Sequence, residues 1–177
     1  MGLAKTSPPR VSGVCERVRL FRVLDQARGR PVTWVYGPPG AGKTTLVASY
    51  LAARRLRSIW YQVDPIDADV ATFFYYLGRA APRRRRPLPL LTPEYRHGLG
   101  IFARRYFREL CSRLKTPFAL VFDNYQDAPS DCLLHDVLRE AMAEIPTGGR
   151  VIFISRGEPP SVFGRIRAHG ALAARFG

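Results

Sequence analysis

Apolar positions along this chain follow two spacings. Three short, nearly unbroken apolar runs read as strands covered on both faces: Val32-Thr33-Trp34-Val35-Tyr36, Phe118-Ala119-Leu120-Val121-Phe122 and Val151-Ile152-Phe153-Ile154. Ser58-Ile59-Trp60-Tyr61-Gln62-Val63 reads as a further strand that ends at Asp64-Pro65. Between them the spacing becomes helical. Residues 15–28 carry Val18, Leu20, Phe21 and Leu24 on one face, and Gly29 stops them. A helix is expected over 45–54, and another, capped by Asp67 or Asp69, through Phe73, Phe74, Tyr76 and Leu77. A longer helix over 93–114 carries Leu99, Phe102, Tyr106 and Leu110 as one stripe. Arg104, Arg105 and Arg108 fall largely off that stripe, and Gly98 and Gly100 weaken the first turns. Ser130 or Asp131 starts the next helix, with Leu133, Leu134, Val137, Leu138 and Met142 on one face and Gly148-Gly149 at its end. A last helical stretch is expected over 160–174.

Strands alternating with helices imply right-handed βαβ units, a mostly parallel sheet and helices on both faces. The expected fold is therefore α/β, in three layers. Four strands are visible. The length fits one domain over residues 11–177, preceded by a flexible lead-in at 1–10.

Residues 37–45 read Gly-Pro-Pro-Gly-Ala-Gly-Lys-Thr-Thr, which satisfies G-x-x-x-x-G-K-[ST]. The segment follows a predicted strand and opens a predicted helix, the context a phosphate-binding loop requires. Gly37, Gly40 and Gly42 let backbone N–H groups approach a triphosphate without a Cβ in the way, and Ala41 keeps the loop small. Pro38 and Pro39 stiffen it. Lys43 is placed for the β- and γ-phosphates, Thr44 for Mg²⁺, and Thr45 continues the first helical turn, whose positive end faces the phosphates. Asp123 ends an all-apolar strand, where it reaches the crevice at the carboxyl edge of the sheet and can also hold Mg²⁺. A nucleoside triphosphate with Mg²⁺ is the expected ligand. No guanine-reading Asn-Lys-x-Asp segment occurs, which favours ATP/ADP.

Charge changes this picture little. The net charge is +14, yet Lys5, Lys43 and Lys115 are the only lysines. The arginines are spread along the chain, and the one dense run, Arg83 to Arg86, is bracketed by Pro82 and Pro87 as a solvated loop. Direct DNA contact by this domain is not expected on that distribution. Cys15, Cys111 and Cys132 form neither a disulfide framework nor a zinc pattern. With no apolar run of membrane-spanning length and no secretory leader at 1–10, a cytoplasmic location is expected.

Taken together, the landmarks resemble the nucleotide-binding domain of STAND-class P-loop ATPases, above all the MalT-like (LuxR-type) ATP-dependent transcriptional regulators. The resemblance rests on Pro8-Pro9-Arg10, Glu16 to Leu20, the loop at 37–46, Ile59 to Asp64, Asp67-Ala68-Asp69, the aromatic run Phe73 to Leu77 and Phe122-Asp123-Asn124-Tyr125. Ile154-Ser155-Arg156-Gly157-Glu158-Pro159-Pro160, with Arg165-Ile166-Arg167-Ala168 after it, is its most specific part. It implies a P-loop NTPase fold and an ATP-binding, slowly hydrolysing switch module. It further implies helical, sensor and DNA-binding domains as partners outside this chain, and ATP-dependent self-association.

The resemblance also implies that Arg156 senses the γ-phosphate and that Asn124 touches the γ-phosphate or the attacking water. Two departures matter. Asn124 and Gln126 stand where the family has an acidic residue and a histidine, and an amide can orient water without taking its proton at neutral pH. Asp127 is not expected to substitute. The family's strand flanking the P-loop strand would begin about where this sequence stops, so the sheet is expected to be truncated there, with an open edge. Two other readings compete: a small P-loop kinase using the arginines of 83–108, and a basic nucleic-acid-dependent ATPase.

Overall fold

The computed structural model describes residues 4–11, 17–164 and 172–175. Five strands form one parallel sheet: β1 (Val32–Tyr36), β2 (Arg57–Gln62), β3 (Phe118–Asp123), β4 (Gly149–Ser155) and β5 (Leu172–Arg175), in the order β2-β3-β4-β1-β5. The helices are α1 (Val18–Gln26), α2 (Lys43–Ala53), α3 (Val70–Ala80), α4 (Leu99–Ser112) and α5 (Leu134–Met142).

Alternation along the strands divides the core in two. Val32 and Trp34 of β1, Leu120 and Phe122 of β3 and Val151 and Phe153 of β4 face one way, against α3, α4 and α5. Val35, Val121, Ile152 and Ile154 face the other way, against Phe21 and Leu24 of α1 and Leu46, Val47, Tyr50 and Leu51 of α2. This is the expected three-layer α/β arrangement. The first of these layers is strongly aromatic: Phe74 meets Phe102 at 4.8 Å and Tyr106 at 4.7 Å between ring centroids, and the Tyr106 hydroxyl donates to Phe74 O at 2.8 Å.

Where sequence and structure differ, a local cause is visible. The helix expected over 93–114 splits at Gly98 into a 3-10 turn, Pro93–His97, and α4. Asp69 caps α3 through Ala71 N and Thr72 N, whereas Asp67 is buried, accepting from Tyr61 Oη at 2.6 Å and from Lys5 Nζ at 2.9 Å. Lys5, within the expected lead-in, also lies over the Tyr61 and Tyr76 rings. α5 ends at Met142, ahead of Gly148-Gly149.

The last expected helix differs at both ends, and its middle, 165–171, lies outside the described residues. Ser161–Phe163 is a 3-10 turn and Leu172–Arg175 is a strand, paired in parallel with β1 from Thr33↔Leu172 to Tyr36↔Arg175. The open edge expected beside β1 is thus occupied by β5, and β1 has a neighbour on each side. Cys15, Glu16 and Arg165 to Ala168 lie outside the described residues. No helix among the described residues is long and apolar enough to cross a membrane.

Candidate functional site

β1 delivers the chain to the loop and α2 carries it away, so residues 37–42 lie at the carboxyl edge of the sheet. The loop turns through left-handed backbone at Gly40 (φ 77°) and Gly42 (φ 74°), conformations that cost little without a Cβ. Gly42 is the N-cap of α2, so the amino-terminal end of that helix opens on the loop. Arg17, beside α1, donates from Nη1 to Ala41 O at 3.1 Å.

Lys43 is nearly buried, and its ammonium donates to Gly37 O and Pro38 O, each at 2.8 Å. Burial holds its pKa below the usual lysine value; the Arg156 charge pushes the same way and Asp123 opposes. Thr44 Oγ1 donates to Asp123 Oδ1 at 3.0 Å, and Asn124 N donates to the same oxygen at 2.9 Å. Burial raises the Asp123 pKa, against the Thr44 hydroxyl, the Asn124 N–H and the Lys43 charge. Because β4 lies between β3 and β1, the Thr44–Asp123 bond spans the carboxyl end of β4. Arg156, the residue after that end, therefore borders the same cleft.

That cleft has a volume of about 280 Å³. Pro39, Gly40, Gly42, Lys43 and Thr44 line it from the loop side. Asn124, Gln126, Ile154 and Arg156 line it from the ends of β3 and β4. Gly37, Pro38, Ala41 and Thr45 belong to the loop and its first helical turn but are not among the lining residues. Asn124 has left-handed backbone (φ 57°), a conformation in which Asn is several-fold enriched. Asp127 does not line the cleft; its Oδ1 accepts from Gln126 Nε2 at 3.2 Å.

Two contacts escaped the sequence reading. Gln126 Oε1 accepts from the Arg156 backbone N–H at 3.0 Å, fastening the turn after β3 to the end of β4. Behind that turn, the Tyr125 hydroxyl meets His135 Nδ1 at 2.6 Å, and His135 Nε2 meets Pro129 O at 2.9 Å. A carbonyl can only accept, so Nε2 carries a proton, and in the neutral imidazole Nδ1 then accepts from Tyr125. Both contacts join residues that only the fold brings together. Gln126 was legible as a departure, though not its partner.

The fit to Mg²⁺ rests on two hard oxygen donors 3.0 Å apart: Thr44, which lines the cleft, and Asp123, which is buried behind it and does not. That suits an ion which keeps several waters and takes few protein ligands.

No family model matches the chain. It is weakly homologous to the HTH-type transcriptional regulator MalT. To that of Serratia proteamaculans it is 28% identical over 170 residues, covering 93% of this chain and 18% of that protein. To that of Vibrio campbellii it is 26% identical over 177 residues, covering 94% and 19%. The chain thus spans less than a fifth of the length of these relatives. Among solved structures, the Aeropyrum pernix ORC1 protein in complex with DNA matches at a TM-score of 0.59 and 19% identity, covering 96% of this chain and 47% of that one. AMPPCP-bound DnaA from Aquifex aeolicus matches at 0.52 and 17%, covering 92% and 47%. At such identities the likeness is one of fold, the mostly parallel α/β P-loop NTPase type.

Proposed function

We propose that this chain is the ATP-binding, slowly hydrolysing switch module of a signal-responsive bacterial transcriptional regulator. The observation that carries the reading is the Thr44 Oγ1–Asp123 Oδ1 hydrogen bond of 3.0 Å, beside a lysine seated in a glycine-rich loop. Similarity to MalT supplies the setting in transcription, and the AMPPCP in the DnaA structure supports a nucleotide as ligand. The helical, sensor and DNA-binding domains of such a regulator belong outside these residues.

In this reading Lys43 leaves the two loop carbonyls to meet the β- and γ-phosphates. Thr44 and Asp123 would hold Mg²⁺, which supplies charge neutralisation to the phosphates when bound. Asn124 orients the attacking water through its amide and does not take its proton, so turnover is slow. Arg156, fastened by its backbone to Gln126, faces the position of the terminal phosphate and registers its loss. ATP and ADP then favour different arrangements of the loops around that phosphate.

The test is calorimetric titration with ATP and ADP in Mg²⁺, and turnover followed over hours. Lys43→Ala is expected to lose nucleotide binding while keeping its melting temperature. Asn124→Asp is expected to raise turnover about 10-fold or more, because a positioned base contributes at least that much. Brisk turnover in the wild type, or no change in Asn124→Asp, would remove Asn124 from its assigned role. Undiminished binding in Lys43→Ala would remove the loop as the site.

A further inference from the structure

The fold sets arginines of α4 beside the end of the one dense arginine run. The segment between α3 and α4 lays Arg86, Pro87 and Pro89 against Arg105, Arg108 and Glu109 of α4, enclosing a cleft of about 380 Å³. No residue lines both this cleft and the one at the phosphate loop. Its shape is held from within. Leu88 is buried in the core, and the buried Arg113 donates from Nη2 to Arg86 O at 2.9 Å and to Glu109 Oε1 at 3.0 Å.

Charge in the cleft is unbalanced. Glu109 is paired with Arg113, and Arg108 is paired with Glu144 through two bonds, 2.9 and 3.1 Å. Arg105 meets the uncharged Tyr95 hydroxyl at 3.3 Å. Among the described residues, no carboxylate forms an ion pair with Arg105 or with Arg83 to Arg86, which are all exposed. Arg83, Arg84 and Arg85 precede Arg86 in the same exposed segment, so with Arg105 five cations are present, more than a single phosphate needs. No aromatic ring lines the cleft to stack on a base.

We propose that this surface, Arg83 to Arg86 with Arg105, docks the phosphate backbone of duplex DNA without reading its sequence. Planar guanidiniums suit phosphate oxygens, and a row of them suits successive phosphates. The spread of arginine along the chain argued against such contact, and the dense run read as a solvated loop; the fold adds Arg105 of α4 beside Arg86.

Fluorescence anisotropy of a labelled random-sequence duplex, titrated with the full chain over a salt series, tests the proposal. Binding is expected to weaken steeply with salt. Arg86→Glu/Arg105→Glu is expected to lose about 10-fold or more in affinity and to flatten the salt slope. Arg83→Glu/Arg84→Glu, away from the Arg113 bond, is expected to do the same. Arg19→Glu/Arg22→Glu makes the same charge change on α1 and is expected to retain most binding. All three are expected to keep the wild-type melting temperature and ATP affinity, so the result is independent of the nucleotide site. Absence of binding at low salt, or equal losses in the α1 variant, overturns the proposal. So does protection by pyrophosphate through the same arginines without duplex binding, which would assign the cleft to a small phosphate ligand.

Discussion

Asp123 holds a carboxylate that burial disfavours and that Thr44 Oγ1 and Asn124 N bond. Its folded pKa lies above the ordinary carboxylate value, so the native protein binds a proton there more readily than the unfolded chain does. Its contribution to stability is therefore greatest below the ordinary value and is lost as pH rises through the folded one. Asp123→Asn keeps an oxygen for both donors and removes that loss. Relative to Asp123→Asn, the wild type is expected to melt progressively lower as pH rises from acidic to neutral, while the variant gives up Mg²⁺-dependent ATP affinity. Parallel melting curves across pH would show that the charge is not strained. At this scale the motif residues were legible because local spacing encodes them. Gln126 was not, because its partner, the Arg156 N–H, arrives only once β3 and β4 are neighbours.

Between elements, the turn after β3 is braced by α5. Tyr125 packs against Trp34, Phe153 and Phe163, and its hydroxyl ends on a buried imidazole whose other nitrogen is committed to Pro129 O. Tyr125→Phe keeps the ring and strands His135 Nδ1. The expected cost is about 1–3 kcal/mol, the usual penalty for a buried polar atom without a partner. Denaturant unfolding at constant m-value measures it, and a cost near zero would mean that the imidazole finds another donor. Helix periods were clear where a stripe is buried, as in α4. They misled at 172–174: alanine and leucine favour helix locally, yet at Leu172–Arg175 the backbone pairs with β1.

For the molecule as a whole, β1 is the strand on which the phosphate loop hangs, and it has neighbours on both sides only because of those four residues. Deleting residues 172–177 is expected to expose the outer edge of β1, lower the melting temperature by about 5 °C or more and promote association. Scanning calorimetry and light scattering check both. An unchanged melting temperature would mean that β5 adds nothing to the sheet. The α/β alternation was legible as far as β4, strand order apart, since buried parallel strands leave nearly unbroken apolar runs, whereas the short β5 was not. The gathering of Arg86 and Arg105 was not, because composition records how many cations a chain has and not which way they are turned.

Lys43 rests on two carbonyls of the loop it serves. Under the proposed function a phosphate must therefore displace an internal competitor already in place, and nucleotide affinity is a difference between two sets of bonds. A ligand without a terminal phosphate offers the ammonium less, so the lysine is drawn back toward Gly37 and Pro38. On that reading the loop carries its own reference against which one phosphate more or less is weighed.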